Sequence, residues 1–209
     1  MHNAPFIAHC IVGEARGFVL EGVWRSILEK IVESLGGVAH VFLCLKIQAA
    51  DEGAAVAAAA HRFRQSLVPQ SKLVTLFLKN KSEDKNVPIN TACPPHQTEG
   101  DHRYKFSIMA HDQSSCFDLV LNEERQLQQH HGRGYSLVLK YRPDERFCSW
   151  FPPWQVFAAR PDFKRTIATF GYTAMERSML RGGIINDRVA VMHRSLADRY
   201  FSANREVIA

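Results

Sequence analysis

The sequence predicts an α/β fold, a doubly wound and mostly parallel sheet with helices on both faces, and three observations carry that prediction. Short apolar runs alternate with segments of helical period. The runs are near-continuous rather than alternating, as strands covered on both faces are. Glycine and proline punctuate the junctions between them. With 209 residues, 46% of them hydrophobic and 22% charged, the chain has the length and composition for one core, and it reads as a single domain over 1–209.

Phe6–Val12 is the first strand, ending at the turn Gly13-Glu-Ala-Arg-Gly17. Val23, Trp24, Ile27, Leu28, Ile31, Val32 and Leu35 then recur at helical spacing, and Gly36-Gly37 supply the stop. Val38–Leu45 is the second strand. An alanine-rich helix follows from Asp51, its expected N-cap, to Ser66, with Pro69 beyond its end. Lys72–Leu78 is the third strand. Strand, helix, strand, helix, strand in this order implies right-handed crossovers.

From Lys79 to Arg103 apolar periodicity disappears among Lys, Asn, Asp and Pro residues, which predicts a long loop of the kind that forms lids and binding loops. A helix from about Phe106 to His131, stopped by Gly132–Gly134, leads into the strand that begins at Tyr135. A mixed region spans Phe163 to Arg181, and a last helix runs from Arg194 to about Asn204.

Composition narrows function only in part. The net charge of +5, with ten histidines, suits a phosphorylated small molecule, and nucleic acid is the weaker alternative because the cations of 79–85 are interspersed with acids and no recognised RNA-binding motif accompanies them. No run approaches the roughly 20 apolar residues of a membrane span, and the first strand begins where a signal peptide would otherwise lie. Cys10, Cys44, Cys93, Cys116 and Cys148 are odd in number and form no CxxC pair. That pattern predicts reduced thiols and a reducing, cytoplasmic compartment rather than disulfides or a zinc site. There is no P-loop, GxGxxG, HExxH or GxSxG. His111-Asp112-Gln113 and His130-His131 have no metal-ligand partners at a fixed spacing and read as solvated or structural.

The most informative stretch is Tyr135-Ser-Leu-Val-Leu-Lys-Tyr-Arg-Pro-Asp144, where an apolar strand ends on a guanidinium, a proline and a carboxylate. In open α/β sheets ligands bind beyond the carboxyl ends of strands, so Arg142 and Asp144 stand at a candidate site. Arg16, on the turn after the first strand, has the fork geometry for phosphate oxygens, or else pairs with Glu14 or Glu21. Gly13 and Gly17 allow the turn, or permit close backbone approach to a ligand. Asn186-Asp187-Arg188 combine an amide, a carboxylate and a guanidinium; Asp187 is either a base for an acceptor hydroxyl or part of a capping turn. Asp144 is either a ligand-binding carboxylate or the ion-pair partner of Arg142. Trp150 and Trp154, beside Pro152-Pro153, are core residues or stacking faces for a sugar or base.

Three of these blocks, Cys10-Ile-Val-Gly-Glu-Ala-Arg-Gly-Phe18, Val138-Leu-Lys-Tyr-Arg-Pro-Asp144 with Pro152-Pro153, and Ile185-Asn-Asp-Arg188, resemble in order and spacing a nucleotide-sugar glycosyltransferase-like family of algae, plants and large viruses. The resemblance spans nearly the whole chain. It implies an A-type glycosyltransferase fold, a nucleotide diphosphate sugar as donor, a glycan or glycoconjugate hydroxyl as acceptor, and Mn²⁺ or Mg²⁺ against the diphosphate. On it, Gly13, Arg16, Arg142, Asn186 and Arg188 bind the nucleotide sugar, Asp144 holds the metal or donor, and Asp187 and Asp144 are catalytic. The Asp-x-Asp triplet expected of that fold occurs nowhere, and Arg142-Pro-Asp144-Glu145 is its nearest equivalent. The missing triplet motivates the alternative of a non-catalytic nucleotide- or glycan-binding domain of the same fold.

Overall fold

A computed structural model describes residues 4–87, 101–169 and 188–206. Six strands form one mixed sheet in the order β3-β2-β1-β4-β6-β5. The strands are β1 (Phe6–Glu14), β2 (Val38–Ile47), β3 (Lys72–Asn80), β4 (Tyr135–Tyr141), β5 (Ala168–Thr169) and β6 (Val189–His193). The pairings β1·β2, β2·β3 and β1·β4 are parallel, as expected. β6 and β5 complete the sheet antiparallel to their neighbours, which sequence order alone did not foretell.

Alternation along each strand divides the core in two. Ile7, Ile11, Val41, Leu43, Leu137 and Leu139 face α1 (Glu21–Ile27, continuing as a π turn through Leu28–Glu33) and α2 (Ala50–Ser66). Ala8, Cys10, Phe42, Val138 and Met192 face α3 (Asp101–His131) and α5 (Arg194–Glu206). A short helix α4 (Trp154–Ala158) covers the first face, where Trp154 packs against the core while Trp150 stays 62% exposed under the ammonium of Lys30. Helices on both faces account for the continuous apolar runs: β1, β2 and β4 bury both of their sides, whereas the edge strand β3 is only half-buried and leaves Phe77 43% exposed. The rings of Phe117 and Phe201 stack at 4.4 Å between centroids and fasten α5 to α3.

Three local expectations change. Ala49, not Asp51, precedes α2; it has no oxygen to cap with, and the Glu52 carboxylate instead accepts from Gln48 N–H at 2.6 Å. The segment from Lys79 is not loop throughout: Lys79 and Asn80 end β3, Lys81–Asn86 form a 3₁₀ turn closed by a capping box of Asn80 and Glu83, and α3 starts at Asp101. Residues 88–100 lie outside the described residues.

Cys44 on β2 and Cys116 on α3 form a disulfide, against the expectation of reduced thiols. They are 72 residues apart in sequence, and packing of α3 on β2 brings their Cα atoms to 5.9 Å, within the span a disulfide bridges. Cys10 and Cys148 are free, the first buried and the second exposed, and Cys93 lies outside the described residues. With Cys44 and Cys116 paired, the cysteines do not point to a reducing compartment. Among the described residues no helix is long and apolar enough to cross a membrane.

Candidate functional site

The chain leaves β1 toward β2 on one side and returns through α3 to β4 on the other. Between the carboxyl ends of β1 and β4 the connections therefore diverge, and a crevice opens at this switch point. A cavity of about 530 Å³ lies there. Its walls are the ends of β1, β2 and β4, the 3₁₀ turn after β3, and the part of α3 around Ile108–Gln113.

Six cations line it, namely Arg16, Lys46, Lys81, Lys85, Lys140 and Arg142, against the three carboxylates Glu14, Asp84 and Asp112. Six minus three leaves a formal surplus of three positive charges. Glu14 is shared by Lys81 at 3.1 Å and Arg16 at 3.6 Å. Burial pushes the Glu14 carboxyl up, but the Lys81 hydrogen bond and the neighbouring cations prevail and hold it below the usual glutamate value.

Gly13, Arg16 and Arg142 thus fall on the cavity, where the sequence put them. Asp144 stands behind: its two oxygens accept from Arg142 Nε at 2.9 Å and Nη2 at 2.8 Å, a bidentate pair that fixes the guanidinium plane. That hydrogen-bonded pair, opposed by partial burial, keeps Asp144 below the ordinary aspartate value and ionised.

The two glycines have a packing role. Gly13 has φ 147°, and a Cβ there would lie 3.0 Å from Pro143 Cδ. A Cβ on Gly17 would lie 2.5 Å from Asp144 Cα, closer than atoms can approach. The turn after β1 and the Arg142-Pro-Asp144 turn after β4 therefore interlock, and only glycine at 17 admits that contact.

Arg142 N–H donates to the carbonyl of Arg188 at 3.2 Å, and Arg188 Nε lies 3.6 Å from Glu145. The first two sequence blocks thus meet at one edge of the sheet, and Arg188, the described residue of the third, joins them there. Asn186 and Asp187 lie outside the described residues.

Sequence reading missed the anionic half of the wall. Lys46 bridges Asp84 at 2.9 Å and Asp112 at 2.6 Å, and Lys79 bridges the same two carboxylates at 2.8 Å each. These four residues come from β2, β3, the 3₁₀ turn and α3, and form a closed ring of alternating charge. Burial opposes ionisation of Asp84, but hydrogen bonds from Lys79 and Lys46 more than offset it and lower its pKa; the same balance raises that of Lys79. Lys140 is buried next to the carboxyl end of β4 and reaches the cavity wall. The signal in the sequence was a lysine inside an apolar run, Lys46 after Leu45 and Lys140 between Leu139 and Tyr141, since a charge there must find partners or a ligand.

The described residues do not by themselves fit a divalent cation. Both Asp144 oxygens serve Arg142, Asp84 and Asp112 are each held by two ammoniums, and no three His, Cys, Asp or Glu side chains gather among the described residues. No family model and no curated protein matches the chain.

Proposed function

We propose that the chain is a glycosyltransferase that moves a sugar from a nucleotide diphosphate donor to a hydroxyl of a glycan or glycoconjugate, with the diphosphate bound in the cation-lined cavity. The observation that carries this reading is the surplus of cations at the β1/β4 switch point, three of which, Arg16, Lys140 and Arg142, belong to the blocks that carry the family resemblance. Breaking the bond between a sugar and a diphosphate leaves negative charge on the leaving oxygen. A guanidinium held beside the leaving oxygen stabilises that charge more as it develops than in the ground state. Arg142, oriented by Asp144, and Arg16 take that role; buried Lys140 adds charge from the floor. Asp144 is on this reading a positioning residue. Asp187 remains the proposed base toward the acceptor, on the resemblance alone.

The bidentate engagement of Asp144 favours a second reading, a domain that binds the nucleotide or glycan without transfer. Thermal unfolding against UDP-, GDP- and dTDP-sugars, each with and without Mn²⁺ or Mg²⁺, followed by a transfer assay on the donor that binds, tests both. A ligand at about 100 times its Kd stabilises by about 2.7 kcal/mol. The expected result is a shift with one nucleotide class, lost in Arg142→Ala, together with sugar transfer. Binding without donor hydrolysis or transfer selects the second reading in its nucleotide-binding form, and no shift with any nucleotide removes both the transferase and the nucleotide-binding domain.

A further inference from the structure

We propose that the Cys44–Cys116 disulfide is a thiol–disulfide exchange site that governs how firmly α3 closes over the cavity. The bond joins the strand and the helix that supply opposite walls: Cys44 lies two residues before Lys46 on β2, and Cys116 lies one turn beyond Asp112 on α3. The Lys46–Asp112 ion pair at 2.6 Å and the disulfide are therefore adjacent fasteners of one strand–helix junction. The same stretch of α3 places Ile108, Met109 and Gln113 on the cavity.

Access comes from a second, smaller cavity of about 110 Å³, which shares Lys46 and Asp112 with the first and is lined by Cys44, Phe77, His111 and Ser115. Both sulfurs belong to the buried core, but Cys44, 7% exposed against 1% for Cys116, borders that cavity, so a reductant that reaches the bond meets Cys44 first. A thiolate of an external dithiol attacks Cys44 Sγ, forming a mixed disulfide as the Cys44–Cys116 bond breaks. The Cys116 sulfur leaves with the electron pair and takes up a proton. The second thiol of the dithiol then displaces Cys44, so that the protein gains two thiols and the dithiol becomes a cyclic disulfide. With that bond gone, α3 is held at this junction by the ion pairs of Asp112 with Lys46 and Lys79 and by packing, with the Glu123 pairs two turns further along the helix.

The test treats the folded chain with dithiothreitol, verifies by differential alkylation and peptide mapping that Cys44 and Cys116 have opened, and reads amide hydrogen exchange along the chain. Expected is a rise in exchange over residues 107–120 at least about tenfold larger than in α1 and α2, reversed on reoxidation. A Cys44→Ser/Cys116→Ser variant is expected to show the reduced pattern with or without dithiol. A uniform rise across all helices, an unchanged pattern after both cysteines have opened, or a bond that opens only on global unfolding would each overturn the proposal.

A second readout, the shift in unfolding temperature caused by inorganic pyrophosphate, rests on the cation-lined cavity proposed above. It is expected to shrink in the reduced protein. If pyrophosphate has no effect in either redox state, the anion site fails while the exchange data still decide the disulfide's role.

Discussion

Removing Asp84 is the sharpest perturbation of the wall that shapes the cavity. In the Lys46–Asp84–Lys79–Asp112 ring the side chains are between 6% and 14% exposed, so each charge depends on its partners rather than on water. Asp84→Ala leaves two ammoniums sharing Asp112. An uncompensated buried charge costs about 3–5 kcal/mol, and a chain of this size loses about 2–4 °C of Tm per kcal/mol, so Tm falls by about 10 °C. The double replacement Lys79→Met/Asp84→Leu removes one charge of each sign and keeps the 2.6 Å Lys46–Asp112 pair. It recovers most of the loss, because a buried ion pair exchanged for apolar groups of similar volume is close to neutral. Urea and thermal unfolding of wild type, both single variants and the double complete the cycle. A cost below about 1 kcal/mol for Asp84→Ala at unchanged m-value, as for an exposed pair, would refute the reasoning. Asp84 also competes for Lys46 at the cavity, so Asp84→Asn binds pyrophosphate more tightly than wild type although it is less stable.

Gly17→Ala forces a Cβ to 2.5 Å from Asp144 Cα and is expected to cost about 1–3 kcal/mol and to weaken nucleotide binding, whereas Gly22→Ala, which meets nothing within 4 Å, is neutral or slightly stabilising; unfolding midpoints of the two variants distinguish them. Arg142→Lys keeps the charge but loses the fork to Asp144, so nucleotide affinity drops by about tenfold or more in calorimetry while the fold stays intact. The stability supplied by Asp84 and Asp144, whose pKa values folding lowers, is fully present above the unfolded value of 3.8 and lost as pH falls through the folded values. That of Lys79, whose pKa folding raises, is fully present below 10.5 and lost as pH rises through its folded value. These contributions are flat between those limits, while buried His9 and His40, held neutral down to about 3 and about 4, cost stability as pH falls below 6.5, and buried Cys10 costs stability as pH rises past 9.0; Asp84→Asn flattens the part of the acid edge that Asp84 supplies.

What was legible in the sequence follows from short-range physics. The turn after β1 and the end of β4 were identifiable because apolar runs bounded by Gly, Pro and charge mark where strands stop, and a parallel sheet collects those stops on one edge. Gly13, Arg16 and Arg142 could be assigned to that edge before any contact was known. The role of Gly17 was half legible: close backbone approach was foreseen, but the backbone that approaches is Asp144, not a ligand.

Alternating periods, glycine stops and strand ends thus determined the parallel core, the covering of both its faces and the edge on which the candidate site lies, because each depends on residues near one another along the chain. The antiparallel β6 and β5, the ring built from Lys46, Lys79, Asp84 and Asp112, the orientation of Asp144 onto Arg142, and the Cys44–Cys116 bond were decided only by tertiary structure. In the Asp112 pairs and the disulfide, partners tens of residues apart meet because α3 crosses the sheet at one angle and register, and no local pattern encodes which lysine faces Asp112 across that contact.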